Sequence, residues 1–379
     1  MMRSFLPALL FFLLGVALQA QHINEHLCVK TTLDSADNKK LFLGIENTDF
    51  VKNNEYFNDI CEGYTLIGFG LSPTISYYFT PKFKAEAGFY LLMYFGSDKY
   101  ALFTPTIRLQ YQINKHFDLV FGRLFGTVNH RLLDPLYGFD RFYTDPVETG
   151  VQFLIDYPFL WGDFWIDWQR FIMPRDTFPE EFSAGYSNQI NFLKPDCPWQ
   201  ISVPFQGIIY HKGGQISDYQ ESLTTILNTA EGITVGRKFR SKFLNSLYLD
   251  NYLVTYNELG KPQLPFHNGM GYYASLTAGS KFGSLQVGYW NADKFYAPLG
   301  EPLYQSVSRL TDGFTIFHRE MILGKAVFNY QIDQGIWLDI RFEGYFYPGD
   351  NHFDYAYGLT FTINKDFFLK KFMPRADKQ

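Results

Sequence analysis

The stretch WGDFWIDWQRF, residues 161–171, sets three tryptophans among three charged side chains, and no single solvent suits it. Side chains alternate across a β-strand with period two. In that conformation Gly162, Phe164, Ile166 and Trp168 share one face, while Trp161, Asp163, Trp165, Asp167 and Gln169 share the other. Arg170 breaks the apolar face near its end. A helix would scatter the same charges around its cylinder. The stretch therefore suits a strand with one face against an apolar medium and the other against a polar interior.

The pattern recurs. At 106–114, Ile107, Leu109, Tyr111 and Ile113 oppose Thr106, Arg108, Gln110, Gln112 and Asn114. At 336–347, Ile336, Leu338, Ile340, Phe342 and Phe346 oppose Trp337, Asp339, Arg341, Glu343 and Tyr345. Strands of about ten residues, each with one apolar face, match the reach of a tilted strand across a bilayer. A soluble sandwich also alternates, but it needs a second sheet to cover its apolar side.

The chain opens MMRSFLPALLFFLLGVALQA, one basic residue, an apolar run and a small-residue end, the signature of a secretory signal peptide over 1–20. Nothing after residue 20 approaches the apolar length of a transmembrane helix. Aromatics make up 19% of the chain, with 40 Phe and 27 Tyr, and charged residues only 19%, against an ordinary share of about a quarter. Mean hydropathy is nevertheless −0.15, too polar for a bundle of membrane helices. Exported, aromatic-rich and moderately polar is the balance of an outer-membrane barrel, in which only alternate residues face lipid. A net charge of −5 excludes the basic footprint that nucleic acid requires.

The fold expected is all-β, a closed antiparallel transmembrane β-barrel of about 16 strands, with 14 or 18 left open. It has short periplasmic turns and long external loops. The strand-like segments run from 40–47 to 353–364, and those at 117–126 and 245–256 alternate poorly. Short links fall at Thr80-Pro81, Asn114 to His116, Pro158-Phe159, Lys194 to Cys197, Phe282-Gly283 and Asp333-Gln334. Longer ones fall at 48–63, 127–146, 173–181, 211–230, 257–269 and 292–314. An even count leaves both termini in the periplasm. Residues 21–39 form a periplasmic amino-terminal segment, 40–364 the barrel and 365–379 a periplasmic carboxy-terminal tail. In this topology Cys28 and Cys197 lie on one side and Cys61 on the other, which suggests a Cys28 to Cys197 disulfide.

In this architecture the chain resembles the porin-like outer-membrane β-barrel proteins of Gram-negative bacteria. The final strand, YAYGLTFTI from Tyr355 to Ile363, is similar to the glycine-and-aromatic carboxy-terminal signal read by barrel-insertion machinery. It departs from that pattern by continuing to Gln379. The resemblance implies an outer-membrane location among outer-membrane lipid and, as in porins, a long loop folded into the lumen. The segment 129–146 is the candidate for that constriction, carrying His130, Arg131, Asp134, Asp140, Arg141 and Asp145 among aromatics. A compact external lid explains those residues equally well.

Candidate lumen residues are Arg108, Gln110, Asp163, Asp167, Asp339, Arg341 and Glu343, with Lys84, Glu86, Glu148 and Asp156 beside them. They either bias a channel toward small polar solutes or pair across the wall and hold it rigid. Trp161, Trp165, Trp337, Tyr345 and Tyr347 on the same face are candidates to stack on sugar rings. The sequence has no G-x-S-x-G, H-E-x-x-H, CxxC or P-loop, so no enzyme, cofactor or metal site is expected. The first function expected is a channel for small polar solutes. The alternative is a closed barrel acting in surface binding or assembly. Homo-oligomerisation is left open, since no interface can be read.

Overall fold

The computed structural model describes residues 22–29, 31–214 and 223–372. The expected signal peptide and the end of the chain from residue 373 lie outside the described residues, as do residues 215–222 of the expected 211–230 loop.

Sixteen antiparallel strands run through the described residues and close into a barrel. The first eight are β1 Lys40–Phe57, β2 Glu62–Thr80, β3 Phe83–Tyr94, β4 Leu102–Asn114, β5 Phe117–Arg123, β6 Thr149–Tyr157, β7 Leu160–Arg170 and β8 Glu180–Asn191. The rest are β9 Trp199–Gly213, β10 Thr224–Lys238, β11 Ser246–Leu259, β12 Asn268–Ser280, β13 Gly283–Asp293, β14 His318–Asp333, β15 Ile336–Tyr347 and β16 His352–Lys371. Each strand pairs with its chain neighbours, and β1 pairs with β16, from Lys40 opposite Lys371 to Glu55 opposite Tyr355. Closure leaves no edge, which a bilayer requires because an unpaired backbone group in lipid costs several kcal/mol.

The opening stretch behaves as its alternation predicts. Asp163, Trp165 and Asp167 are buried inside the barrel, while Phe164 and Trp168 are exposed on its outer wall. That wall continues through Ile107, Phe121, Leu285, Val287 and Ile340, all exposed, while the inward neighbours are buried. Large apolar side chains outside and polar ones inside invert the soluble rule, and they identify lipid as the outer medium.

Four boundaries differ from expectation, one of them at the expected 211–230 loop, where β9 runs to Gly213 and β10 starts at Thr224. The expected 48–63 loop is mostly strand, because β1 and β2 run on to a four-residue link, 58–61. Asn53 faces outward there and bonds Tyr357 at 3.0 Å, while Lys52 and Asn54 face inward to Asp140. With polar residues on both faces, the stretch carries no apolar alternation to read. Strand β16 continues to Lys371, so residues 365–371, expected in a tail, belong to the sheet. The segment before β1 is not simply outside the barrel: a 3-10 turn at His22–Leu27 packs against β12 and β13. The suggested disulfide is absent, since all three cysteines are free and the Cys28 thiol donates to the Val128 carbonyl instead.

The lumen holds a dry core. The 124–148 loop brings Leu132, Leu133, Leu136 and Tyr137 inward, and the 294–317 loop brings Phe295, Leu299, Leu303 and Tyr304. They pack on inward aromatics of the wall, including Tyr252, Tyr256, Trp290 and Tyr345.

Candidate functional site

The 124–148 loop bends inward through a 3-10 turn, Thr127–His130, and a helical turn, Arg141–Thr144. His130 is fully buried, with Nε2 2.6 Å from Glu148 Oε2 and Nδ1 2.8 Å from Asp163 Oδ2. The other Glu148 oxygen accepts from the Thr127 amide and the Tyr137 hydroxyl, both at 2.7 Å. Gln152 donates to Asp163 at 2.9 Å. Burial disfavours the charged imidazolium, but the two carboxylates outweigh it and lift the His130 pKa to about 10. A histidine with both nitrogens held this way is a structural cation. It has no free lone pair for catalysis.

The other candidate residues of the loop make ion pairs. Asp134 accepts from Lys325 on β14, and Asp140 from Lys52 on β1 and from Tyr64 on β2. Arg141 pairs with Asp145, four residues on. Arg131 lies over the Trp161 ring at 4.1 Å.

The candidate lumen residues are paired as well. Arg108 bonds Glu86 at 2.9 Å and two main-chain carbonyls where β5 gives way to the loop, those of Arg123 and Leu124. Gln110 donates to Asp118 at 3.3 Å, and Asp167 accepts from the Thr149 amide at 2.7 Å. Asp339 meets His26 at 2.6 Å. Arg341 meets Asn24 and Glu343 and lies 3.9 Å from the Phe139 ring centroid. Glu343 also faces Lys52 at 3.4 Å and Lys325 at 3.5 Å. Of the suggested sugar-stacking aromatics, Trp165, Tyr345 and Tyr347 are buried in side-chain contacts and cannot meet a solute. Lys52, Lys325 and Glu301 were not foreseen; of these, Lys325 follows the inward parity of β14 and so was readable.

A polar cavity of about 900 Å³ remains at the terminus-bearing end, between β1–β4 and the amino-terminal segment. Its charged lining includes Glu46, Lys84, Glu86, Arg108, Arg123 and Asp366.

The outer wall carries chemistry of another kind. At the end far from the termini, β13 and β14 set Asp293 directly opposite His318. Asp293 Oδ1 lies 2.8 Å from His318 Nδ1, and the Asn291 amide lies 3.3 Å from Nε2. Asn291 also contacts the Tyr289 hydroxyl, which donates to Glu320 at 2.9 Å. Beside the pair is a groove of about 550 Å³, lined by Thr255, Asn257, Met270, Asp293, Lys294 and Phe317. These odd-numbered positions of β13 face away from the buried Trp290 and Ala292, so the groove lies outside the barrel. An Nδ1–H directed at Asp293 leaves Nε2 as the acceptor, and its lone pair receives the neutral Asn291 amide at 3.3 Å, so Nε2 serves as a general base once that side chain turns away.

A second outward polar stripe follows β1. Asn47 donates to Asp49 at 2.6 Å, and Thr65 donates to Asn53 at 2.5 Å. Asp49 stands between Phe361 of β16 and Phe69 of β2. Among the described residues no group of three or more His, Cys, Asp or Glu is placed to hold a metal ion.

Residues 33–372 match the family described as lipid A 3'-O-deacylase-type. Among solved structures, the chain is similar to Pseudomonas aeruginosa OccK2 (OpdF) in complex with glucuronate, at 9% identity and TM-score 0.52, covering 89% of this chain and 100% of that one. It is also similar to Pseudomonas aeruginosa OprD, at 10% identity and TM-score 0.51, with coverage of 89% and 100%. A loop-deleted OmpT of Vibrio cholerae gives 9% identity and TM-score 0.50, with coverage of 86% and 100%. At such identities the likeness is one of fold, that of outer-membrane porin-like barrels. No curated protein matches the sequence. The family match overturns the expectation that the chain is not an enzyme, because the family is named for a hydrolytic activity. That expectation looked for single-segment motifs, whereas the outer-wall histidine and carboxylate are 25 residues apart and meet only through strand register.

Proposed function

The chain belongs to the lipid A 3'-O-deacylase-type family, and from that premise we propose that it is an outer-membrane hydrolase of an acyl ester on lipid A, working at the outer-wall groove. The observation that carries this is the Asp293–His318 pair. Asp293 lines the groove and holds the solvent-exposed His318 beside it, at the end of the barrel far from the termini, while the buried His130 is saturated by carboxylates.

His318 Nε2 takes a proton from water as the oxygen attacks the ester carbonyl, and Asp293 holds the ring and stabilises the imidazolium. Collapse of the tetrahedral intermediate returns the proton to the leaving oxygen. A fatty acid and a free hydroxyl result. Met270 and Phe317 offer an apolar wall to an acyl chain, and Lys294 a cation to a phosphorylated sugar. The test is mass spectrometry of lipid A incubated with the folded protein, in which loss of one acyl chain is expected. His318→Gln abolishes that loss and His267→Gln, a solvent-exposed histidine at the same end, leaves it intact. Unchanged lipid A with a folded wild type rejects the proposal.

A channel for small polar solutes is a second reading, favoured by the polar cavity at the terminus-bearing end. The two inward loops fill the far half, so a path through the barrel requires them to move. Planar-bilayer conductance separates this reading from a permanently closed surface-binding or assembly barrel.

A further inference from the structure

The two inward loops are one body. Gly138 N donates to Leu299 O and Glu301 N to Asp134 O, both at 2.8 Å, so the loops join backbone to backbone. At Gly300 a Cβ would run into the Pro135 carbonyl, so only glycine permits the approach. Apolar packing on the wall's aromatics is joined by loop-to-wall ion pairs, Lys52 to Asp140 and Lys325 to Asp134.

One carboxyl in this body has no cation of its own. Glu301 is buried, and its Oε1 has no hydrogen-bond partner. From the partner loop it faces Asp134 and Asp140, and from β15 Glu343 and Tyr345. From β1 it faces Lys52 and Tyr56, from the β1–β2 end Cys61 and Tyr64, and from its own loop Tyr304. Lys325 and Arg341 complete the surrounding charge through Asp134 and Glu343. Three cations, Lys52, Lys325 and Arg341, thus stand against three paired carboxylates, Asp134, Asp140 and Glu343, while the buried Arg319 of β14 donates to the Leu303 carbonyl. Glu301 is the fourth carboxyl. Its ionisation adds a buried negative charge that has no ion pair of its own.

We infer that the 124–148 and 294–317 loops are a displaceable plug and that Glu301 is the group whose deprotonation releases it, making the barrel a gated pore for small polar solutes. This rests on the channel reading, which the experiment tests separately. Burial first, then the neighbouring Asp140, raises the Glu301 pKa to about 8. A hydrated Glu301 in the open state titrates near the ordinary value of about 4.3. The docked plug is therefore most stable below that pH, and its stability falls as pH rises toward 8. Across that window the open-to-closed ratio grows by up to about tenfold per pH unit.

The experiment is planar-bilayer conductance of the folded full barrel from pH 5 to 9, with two variants whose folding is checked by heat-dependent gel mobility. One replaces residues 296–305 by a short Gly-Ser linker, and the other is Glu301→Gln. The deletion is expected to conduct at every pH, the wild type increasingly toward pH 8, and Glu301→Gln to stay closed. A conducting deletion with no difference between wild type and Glu301→Gln overturns the role of Glu301 and leaves the channel standing. A folded but silent deletion overturns both.

Discussion

The His130 imidazole lies flat on the Trp165 indole, with ring centroids 3.7 Å apart and planes 14° from parallel. His130 comes from the inward loop and Trp165 from the lumen face of β7, so this stack, with Glu148 and Asp163 at its rim, fastens loop to wall. His130→Ala leaves two buried carboxylates without their cation, a loss of about 3–5 kcal/mol. Urea unfolding in detergent is expected to show it as a lowered midpoint with an unchanged slope.

The same cluster makes stability depend on pH. The folded His130 pKa, about 10, lies above its unfolded value, so the stabilisation is complete below about 6.5 and is lost as pH rises through 10. Wild type is expected to lose resistance to urea between pH 7 and 10.5, and His130→Ala to lose much less over that range. Parallel curves for the two proteins would place the pH dependence elsewhere.

Asp49 faces outward between two phenylalanines on a lipid-exposed wall. A charge there is disfavoured, by less than the ~2–4 kcal/mol seen for Lys or Arg at the bilayer midplane. Asp49→Leu is expected to raise stability by about 1 kcal/mol in lipid, read from urea unfolding in vesicles. A decrease would mean that the Asn47–Asp49 hydrogen bond outweighs the cost of the charge.

Much of the barrel was legible because lipid outside and polar groups inside write a period-two code into each strand. That code gave sixteen strands, their order and the inward direction of Asp163, Asp167, Asp339 and Arg341. It weakened where its physical cause weakened. Residues 51–57 have polar groups on both faces, so the first hairpin was shortened and Lys52 was placed in a loop. The inward course of 129–146 was suggested by aromatics mixed with paired charges, but its partners Lys52, Lys325 and Glu343 come from distant strands. Asp293 and His318 fall near the edges of a loop in sequence, and only register sets them side by side.

Gly300 meets the Pro135 carbonyl where the two loops join. Gly300→Ala is expected to part them at a cost of about 1–3 kcal/mol, as overpacking does. Limited proteolysis is the check: cleavage within 294–317 is expected to rise sharply while the barrel stays intact. Equal protection of the variant would show that the close approach of Gly300 to Pro135 does not hold the loops together.

The central claim is that the reacting groups lie on the outer wall. The most direct measurement is mass spectrometry of lipid A in vesicles holding the folded wild type or His318→Gln. Loss of one ester-linked acyl chain with the wild type, reduced about 100-fold or more in His318→Gln, is the predicted result. Equal deacylation by both proteins, or none by the folded wild type, would contradict it.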